Sequence, residues 1–387
     1  MNQASLTPQE IKALAVRVAV SYGAGAVRVT PARSDAVSRG RMAAAFERGD
    51  FTTWGYDATY ARRATDPQTL LPAARSVICI AVPYASPPAR EEAPLRGRVS
   101  NYAWSEDYHR RVRNLLQRVA GEIDAAAGGP VTAIACDTRP LAERALAAAA
   151  GLGWIGKHTN LISPALGSFV FLGEVVTTLD LPPDAPLQKS CGECHRCVEA
   201  CPTQALRGDY TIDATRCISD LTQRTDGIPP AMRPLIGEWV WGCDACQMVC
   251  PPTVAAGIPA GSQWEPASRA TARPALLELL TLRSGEFKRQ YAGTAMGWRG
   301  AAVLRRNAAV ALGNALDRSA VGALAESLER DPHPMVRGHV AWALGRIGSP
   351  KALAELRRRR SLEQDGGARS EIEAALEPFG WVGEPEV

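Results

Sequence analysis

The 387-residue sequence predicts a three-part chain: an α/β domain over residues 1–180, a cysteine-rich module over 181–265 and an α-helical repeat tail over 266–387. Three observations predict it. Short apolar runs alternate with amphipathic stretches in the first half. Eight of the 10 cysteines crowd between Cys191 and Cys250. A ten-residue pattern in the final third returns 32 residues later.

The first part opens on a helix signal. Thr7 caps, Pro8 takes the first helical position, Glu10 follows three after the cap, and apolar spacing then runs to Gly23. Val77 to Val82, ended by Pro83, and Val131 to Cys136 are short apolar runs that fit buried strands. Cys79 and Cys136 lie inside them and read as small core residues. Helical stretches follow each run, over 108–127 and 140–150, the second closed by Gly151 and Gly153. Pro182, Pro183 and Pro186 mark a linker before the cysteines, and Pro251, Pro252, Pro259, Pro266 and Pro274 mark another after them.

The opening residues lack the charged, apolar and small-residue order of a signal peptide, and no run approaches the roughly 18 apolar residues of a membrane span. The expectation is a cytoplasmic chain with no membrane partner, and a monomer. In that compartment clustered cysteines point to metal or redox chemistry rather than disulfides.

Cys191-x2-Cys194-x2-Cys197-x3-Cys201-Pro202 has the spacing of the bacterial ferredoxin run. Three thiolates in a tight loop reach three irons of one 4Fe-4S cube, and the fourth normally ligates a second cube. A second block, Cys243-x2-Cys246-x3-Cys250-Pro251, lacks its first cysteine, which Cys217 can replace. The eight thiolates then divide evenly: Cys191, Cys194, Cys197 and Cys250 for one cluster, and Cys201, Cys217, Cys243 and Cys246 for the other. Structural zinc is the rival reading, since paired CxxC motifs also suit a tetrahedral ion. Two clusters conduct single electrons but offer no substrate pocket, which places the chemistry in the domain before them.

In the tail, Leu304 to Gly313 returns as Val336 to Gly345, and Ala320 with Leu324 returns as Ala352 with Leu356. Such a period means stacked helix pairs of the HEAT-like kind, and two copies are few enough that they should dock on the preceding domain. The tail is also basic. Fourteen Lys and Arg stand against six Asp and Glu between Glu286 and Arg360, although the whole chain carries only +4. A net +8 can track phosphates, and Arg299, Arg305 and Arg306 are the favoured contacts over the distal run Arg357 to Arg360.

Taken together, these residues resemble the epoxyqueuosine reductases. The likeness is carried by Asn101-Tyr102-Ala103, Asp107-Tyr108-His109, Asp137-Thr138-Arg139-Pro140-Leu141 with Glu143-Arg144, and Gly151-Leu152-Gly153-Trp154-Ile155-Gly156-Lys157. It continues in the ferredoxin block, in Cys217-Ile218-Ser219 with Leu221-Thr222, and in Arg306-Asn307. The chain departs from the family pattern at Asn101 and over Trp54 to Tyr60. The family is similar in its core to cobalamin-dependent reductive dehalogenases. The resemblance therefore implies an α/β cobalamin-binding domain, a ferredoxin-like domain with two 4Fe-4S clusters and a HEAT-like tail.

It also implies an activity: reduction of epoxyqueuosine to queuosine at the anticodon wobble position of tRNA. Electrons would pass from an external low-potential donor through the clusters to cobalamin. Asp137 follows directly on a predicted strand and precedes a helix, where ligand and catalytic groups collect in open α/β sheets; an Asx turn is the plain alternative. The family motif favours catalysis, with Asp137 as a proton donor whose pKa a dry pocket raises. Candidate cobalamin contacts are Tyr60, Asp137, Lys157, His158, Ser163, Ser168 and Thr222. Gly151, Gly153 and Gly156 would let backbone approach the flat macrocycle, and no protein imidazole is expected on cobalt. Tyr108 and Arg144 are candidate pocket residues. Two competitors remain: a reductive dehalogenase, which the absent twin-arginine export signal and the basic tail disfavour, and a ferredoxin-type electron carrier.

Overall fold

A computed structural model describes residues 6–87, 94–259 and 272–380. The chain forms two compact units. One gathers Met1–Pro87, Asp107–Thr215 and Asp244–Glu265, and the other Pro88–Glu106, Arg216–Cys243 and Pro266–Val387.

The first unit is built on a four-stranded sheet of β1 (Ala26–Pro31), β2 (Ser76–Pro83), β3 (Thr132–Ala135) and β4 (Val170–Thr177), in the spatial order β1-β2-β4-β3. Every pairing is antiparallel. This corrects the open α/β picture. The alternation of strands and helices is present, but a further strand, β4, runs between the two predicted strands and against both. A central strand covered on both faces loses the polar alternation of a half-buried one, and β2 accordingly is buried at all eight positions. Cys79 and Cys136 are buried as expected.

Helices cover both faces. Helix α1 (Pro8–Ser21) opens with the capping box the sequence predicts, Thr7 accepting from the Glu10 amide and the Glu10 carboxylate accepting from the Thr7 amide. It packs with α2 (Tyr108–Ala127), whose buried stripe is Val112, Leu115, Leu116, Val119 and Ile123. Gly173 of β4 lets α2 come close: a Cβ there would meet Val112 and Leu116 methyls at 2.9 and 3.0 Å. On the other face Leu146, Ala147 and Ala150, around the short helix α3 (Glu143–Ala149), close a core with Val77, Cys79, Ala81, Ala135 and Val176. Pro251 and Pro252 open a helix, Pro251–Ala256, where the sequence suggested a linker. Proline supplies the fixed φ of a first helical turn without losing a needed N–H. Pro266 lies outside the described residues.

In the second unit the tail stacks α4 (Ala301–Ala315), α5 (Val321–Arg330), α6 (Pro334–Ile347), α7 (Pro350–Arg360) and α8 (Gly366–Leu376). Helices α4, α6 and α8 pack consecutively, with α5 and α7 beside them. The repeated glycine has a packing cause: a Cβ on Gly313 would strike Trp342 and Ala343 of α6, and one on Gly345 would strike Ala375 of α8, all within 3.0 Å. Asn307 anchors the repeats to the segment before them, its amide donating to the Thr222 and Val240 carbonyls at 2.8 Å each. Its repeat partner His339 accepts from the Ile228 amide at 3.0 Å, and Arg233 forms a two-pronged bond to Glu371. Among the described residues no helix is long and apolar enough to cross a membrane.

Candidate active site

The turn after β3 carries the chemistry-bearing residues of the first unit. Asp137 adopts φ +55, the left-handed region that a side-chain-bearing residue enters only under constraint. Its backbone N–H donates to Glu143 Oε1 at 2.5 Å. Its Oδ2 collects two donors, the Tyr108 hydroxyl at 2.6 Å and His109 Nε2 at 3.1 Å. Both come from the first turn of α2, which Asp107 caps by accepting from the His109 amide. The same Asp107 carboxylate oxygen holds His109 Nδ1 at 2.7 Å. Tyr108 is pinned from behind, parallel to Phe171 at 4.3 Å, with Tyr84 stacked on Phe171 at 4.2 Å.

These contacts decide where protons rest. The His109 hydrogen bond holds the Asp137 carboxyl below its ordinary range, against an opposing effect of burial and with help from Tyr108. Burial disfavours the imidazolium of His109, but its bonds to Asp107 and Asp137 outweigh that and carry its pKa to about 9. The expectation of a raised Asp137 pKa is therefore corrected. An anionic Asp137 sits beside a protonated His109, because two donors on one carboxylate oxygen favour its charged form. In sequence His109 stands out only within the family motif; a His two after a capping Asp is its available signal.

The predicted cobalamin contacts separate. Tyr60, stacked on Tyr56 at 4.2 Å, lies within electrostatic reach of Asp137 and Glu143. His158 is buried, its Nδ1 accepts from the Asn160 amide at 3.2 Å, and its Nε2 meets no partner among the described residues. Burial pulls its pKa down to about 4, so the ring is neutral with its proton on Nε2, an unfilled donor rather than a lone pair for cobalt. Lys157 instead spends its ammonium on the Gly192 carbonyl at 2.8 Å and on His195 Nε2 at 3.0 Å. Ser168 is tied to Thr253 through both amide and hydroxyl. Ser163 is buried at a tight backbone pairing with Gly167. Thr222, in the second unit, bridges the Ile218 carbonyl and the Gly242 amide.

The glycine expectation is corrected as well. A Cβ on Gly151 would strike the Ala185 carbonyl, one on Gly153 the Ile162 carbonyl, and one on Gly156 the His158 ring. Protein already fills the space these glycines leave. Arg144 donates to the Thr159 carbonyl at 2.8 Å.

Of the cysteines, Cys197 lies within electrostatic reach of Cys191 and Cys250, and Cys250 within reach of Cys191 and Cys194. Burial first, then the Cys191 and Cys250 thiolates, push the Cys197 thiol up to about 11, and Cys250 feels Cys191 and Cys194 after its own burial. Crowded thiolates of this kind suit a cationic iron–sulfur core, whose four irons take one thiolate each. Among the described residues no three His, Cys, Asp or Glu converge on a position for a single ion. Cys201 accepts from the Ala205 amide at 3.3 Å in the first unit together with Cys246, while Cys217 and Cys243 belong to the second.

The tail arginines are used differently from the sequence expectation. Arg306 is 0 % exposed and donates to the Leu221, Arg224 and Asp226 carbonyls. Arg305 forks onto Asp331 at 2.6 and 3.1 Å. Both are corrected to structural residues, because their donors are consumed inside the unit. Arg358, Arg359 and Arg360 pair with Glu355, Glu363 and Glu373. Arg299 stacks on the exposed Trp298, 3.7 Å from the ring centroid.

Comparison with known proteins agrees with this layout. Residues 64–138 match the family described as Epoxyqueuosine reductase QueG, DUF1730, residues 190–253 a 4Fe-4S double cluster binding domain and residues 299–377 HEAT repeats. An epoxyqueuosine reductase of Bacillus cereus is 35 % identical over 327 residues, 84 % of this chain and 86 % of the relative. One of Salmonella typhimurium is 39 % identical over 283 residues, 72 % of this chain and 73 % of the relative. A selenomethionine-labelled epoxyqueuosine reductase superposes with a TM-score of 0.90 at 33 % identity, covering 96 % of this chain and 99 % of that one. An epoxyqueuosine reductase holding an epoxyqueuosine-modified tRNA stem loop superposes at 0.88 with the same identity and coverage. The Bacillus subtilis enzyme with its aspartate-bearing catalytic loop swung out of the active site superposes at 0.89 and 32 % identity, over 96 % of this chain and 99 % of that one. The chain belongs to the epoxyqueuosine reductase family.

Proposed function

We propose that this chain reduces the epoxide of epoxyqueuosine in tRNA to the alkene of queuosine, consuming two electrons and two protons and releasing water. The observation that carries the reading is Asp137, held in a strained turn with Tyr108 and His109 on one oxygen, in a chain whose relatives bear that activity's name. Three functional parts serve it: 1–180 for chemistry, 181–265 for the clusters and 266–387 for tRNA. The setting is the cytoplasm, the chain acts as a monomer, and an external low-potential one-electron donor supplies it.

Cys191, Cys194, Cys197 and Cys250 would hold one 4Fe-4S cluster and Cys201, Cys217, Cys243 and Cys246 the other. The orphan His158 Nε2–H is the feature that fits cobalamin, as a buried donor for an amide arm, with Tyr60 and Asp137 facing the same cofactor. Bound cobalamin would supply a low-valent cobalt, recharged by single electrons from the clusters, as the reductant.

The chain's own residues manage the protons. Asp137 relays one to the epoxide oxygen as its C–O bond breaks, and His109, kept protonated by Asp107 and Asp137, replaces it. The Tyr84–Phe171–Tyr108 stack keeps the Tyr108 hydroxyl fixed. Anaerobically purified protein should contain iron and cobalt and, given a reduced low-potential donor, convert epoxyqueuosine tRNA to queuosine tRNA, read by nucleoside mass spectrometry. Cobalt-free protein, or holoenzyme that leaves the epoxide intact, would overturn the reading.

A further inference from the structure

His109 accounts for one proton, whereas releasing the epoxide oxygen as water takes two. A second acid lies behind Asp137. Glu174 sits in the middle of β4 between Cys79 of β2 and Ala135 of β3. It is 0 % exposed, and neither of its oxygens accepts from a donor among the described residues. The polar group facing it is the Glu143 carboxyl, whose Oε1 accepts the Asp137 backbone N–H.

Glu143 is half-buried, but Glu174 is fully buried and without a donor, so the two facing carboxyls are not both ionised: the Glu174 charge would be unsolvated and repelled by its neighbour. At rest each carboxyl carries its own proton, so one can leave while the other still bridges the pair. The other titratable groups within reach of Glu143 are Asp137 on the turn, Arg144 next to it on α3, Tyr60 from the helix Ala58–Ala64, and the Cys79 and Cys136 thiols of the core. Arg144 is the cation among these, and its guanidinium donates to the Thr159 carbonyl.

Resting on the epoxide-reduction reading above, we propose that Glu143 and the buried Glu174 form a proton store that supplies the second proton of the reaction through the Asp137 turn. After the first proton has gone to the substrate oxygen, Glu143 yields its own to the Asp137 carboxylate. Asp137 delivers it to the hydroxyl that leaves as water. The pair is left as a Glu143 carboxylate and a neutral Glu174, whose O–H then donates to that carboxylate. Solvent protons refill the store, and no electron moves in this step. Both glutamates are positioning residues, acting through Asp137. Burial, and after it the Asp137 charge, push the Glu143 carboxyl up to about 8, so the store is full below that pH and empties above it.

The test is the single-turnover rate of holoenzyme at saturating tRNA as a function of pH, with infrared spectra of the same samples. Glu143→Gln keeps an oxygen for the Asp137 N–H but carries no exchangeable acid proton. It should slow the reaction by at least about tenfold at pH 7 and abolish the alkaline fall near 8, with Glu143→Asp partly restoring both. Glu174→Gln should shift that fall and remove a neutral-carboxyl carbonyl band present in the parent at pH 7. A parent lacking that band, or both Gln variants keeping the parent's rate and pH profile, would overturn the store. A parent that does not reduce epoxyqueuosine tRNA but shows the band would instead sink the functional reading alone.

Discussion

Arg306→Met separates a structural role from a phosphate contact. In the folded chain the Arg306 guanidinium is fully buried and donates to the Leu221, Arg224 and Asp226 carbonyls and to the Asn307 side-chain oxygen. Methionine fills similar volume but donates nothing, so three main-chain carbonyls lose this donor, at about 1–3 kcal/mol each. The desolvation cost of the guanidinium disappears with it, which offsets part of the loss. A net destabilisation on the order of 4 kcal/mol follows, and at roughly 2–4 °C per kcal/mol for a unit of 150–250 residues the melting transition should fall by about 8–16 °C. Calorimetry of the full chain would read it, alongside the salt dependence of tRNA binding by anisotropy. The log–log salt slope should stay at the parent value below the new transition. A variant that melts with the parent but binds tRNA with a shallower slope would refute the structural assignment and restore Arg306 as a phosphate contact.

Further outcomes follow from the same geometry. Asp137→Asn should retain iron and cobalt and keep the Tyr108 contact, yet lose about 10²- to 10⁴-fold in single-turnover rate; a loss below roughly tenfold would reduce Asp137 to a turn residue. Arg299→Ala should raise the apparent KM for whole tRNA and make the salt slope shallower by about 0.7–0.9. An unchanged slope would confine Arg299 to its stacking on Trp298. His109 has a folded pKa raised to about 9, so the stability its bonds to Asp107 and Asp137 provide is complete below its unfolded pKa and disappears as pH rises through about 9. His109→Gln should flatten the parent's loss of melting temperature across that window, and parallel pH curves for the two proteins would contradict the assignment.

Local pattern alone was enough for features whose cause is local. The Thr7 capping box, the helix from Tyr108 to Ala127 and the ferredoxin spacing of Cys191 to Cys201 were all legible, because each depends on neighbours a few residues away. The repeat was legible too, since equivalent helices bury equivalent faces, and Gly313 and Gly345 serve the same close crossings. Only tertiary structure decided what depends on partners distant in sequence. Strand β4 turned the sheet antiparallel, and its lone Glu174 inside an apolar run was the one local sign of the carboxyl it meets from α3. Arg305 and Arg306 read as cations for phosphate until folding brought Asp331 and three carbonyls to them. Asp137 read as an acid with a raised pKa until folding placed two donors on its Oδ2. A charged side chain has the same sequence signature whether it faces solvent or a buried partner, and its proton affinity is set by the groups folding brings within hydrogen-bond reach.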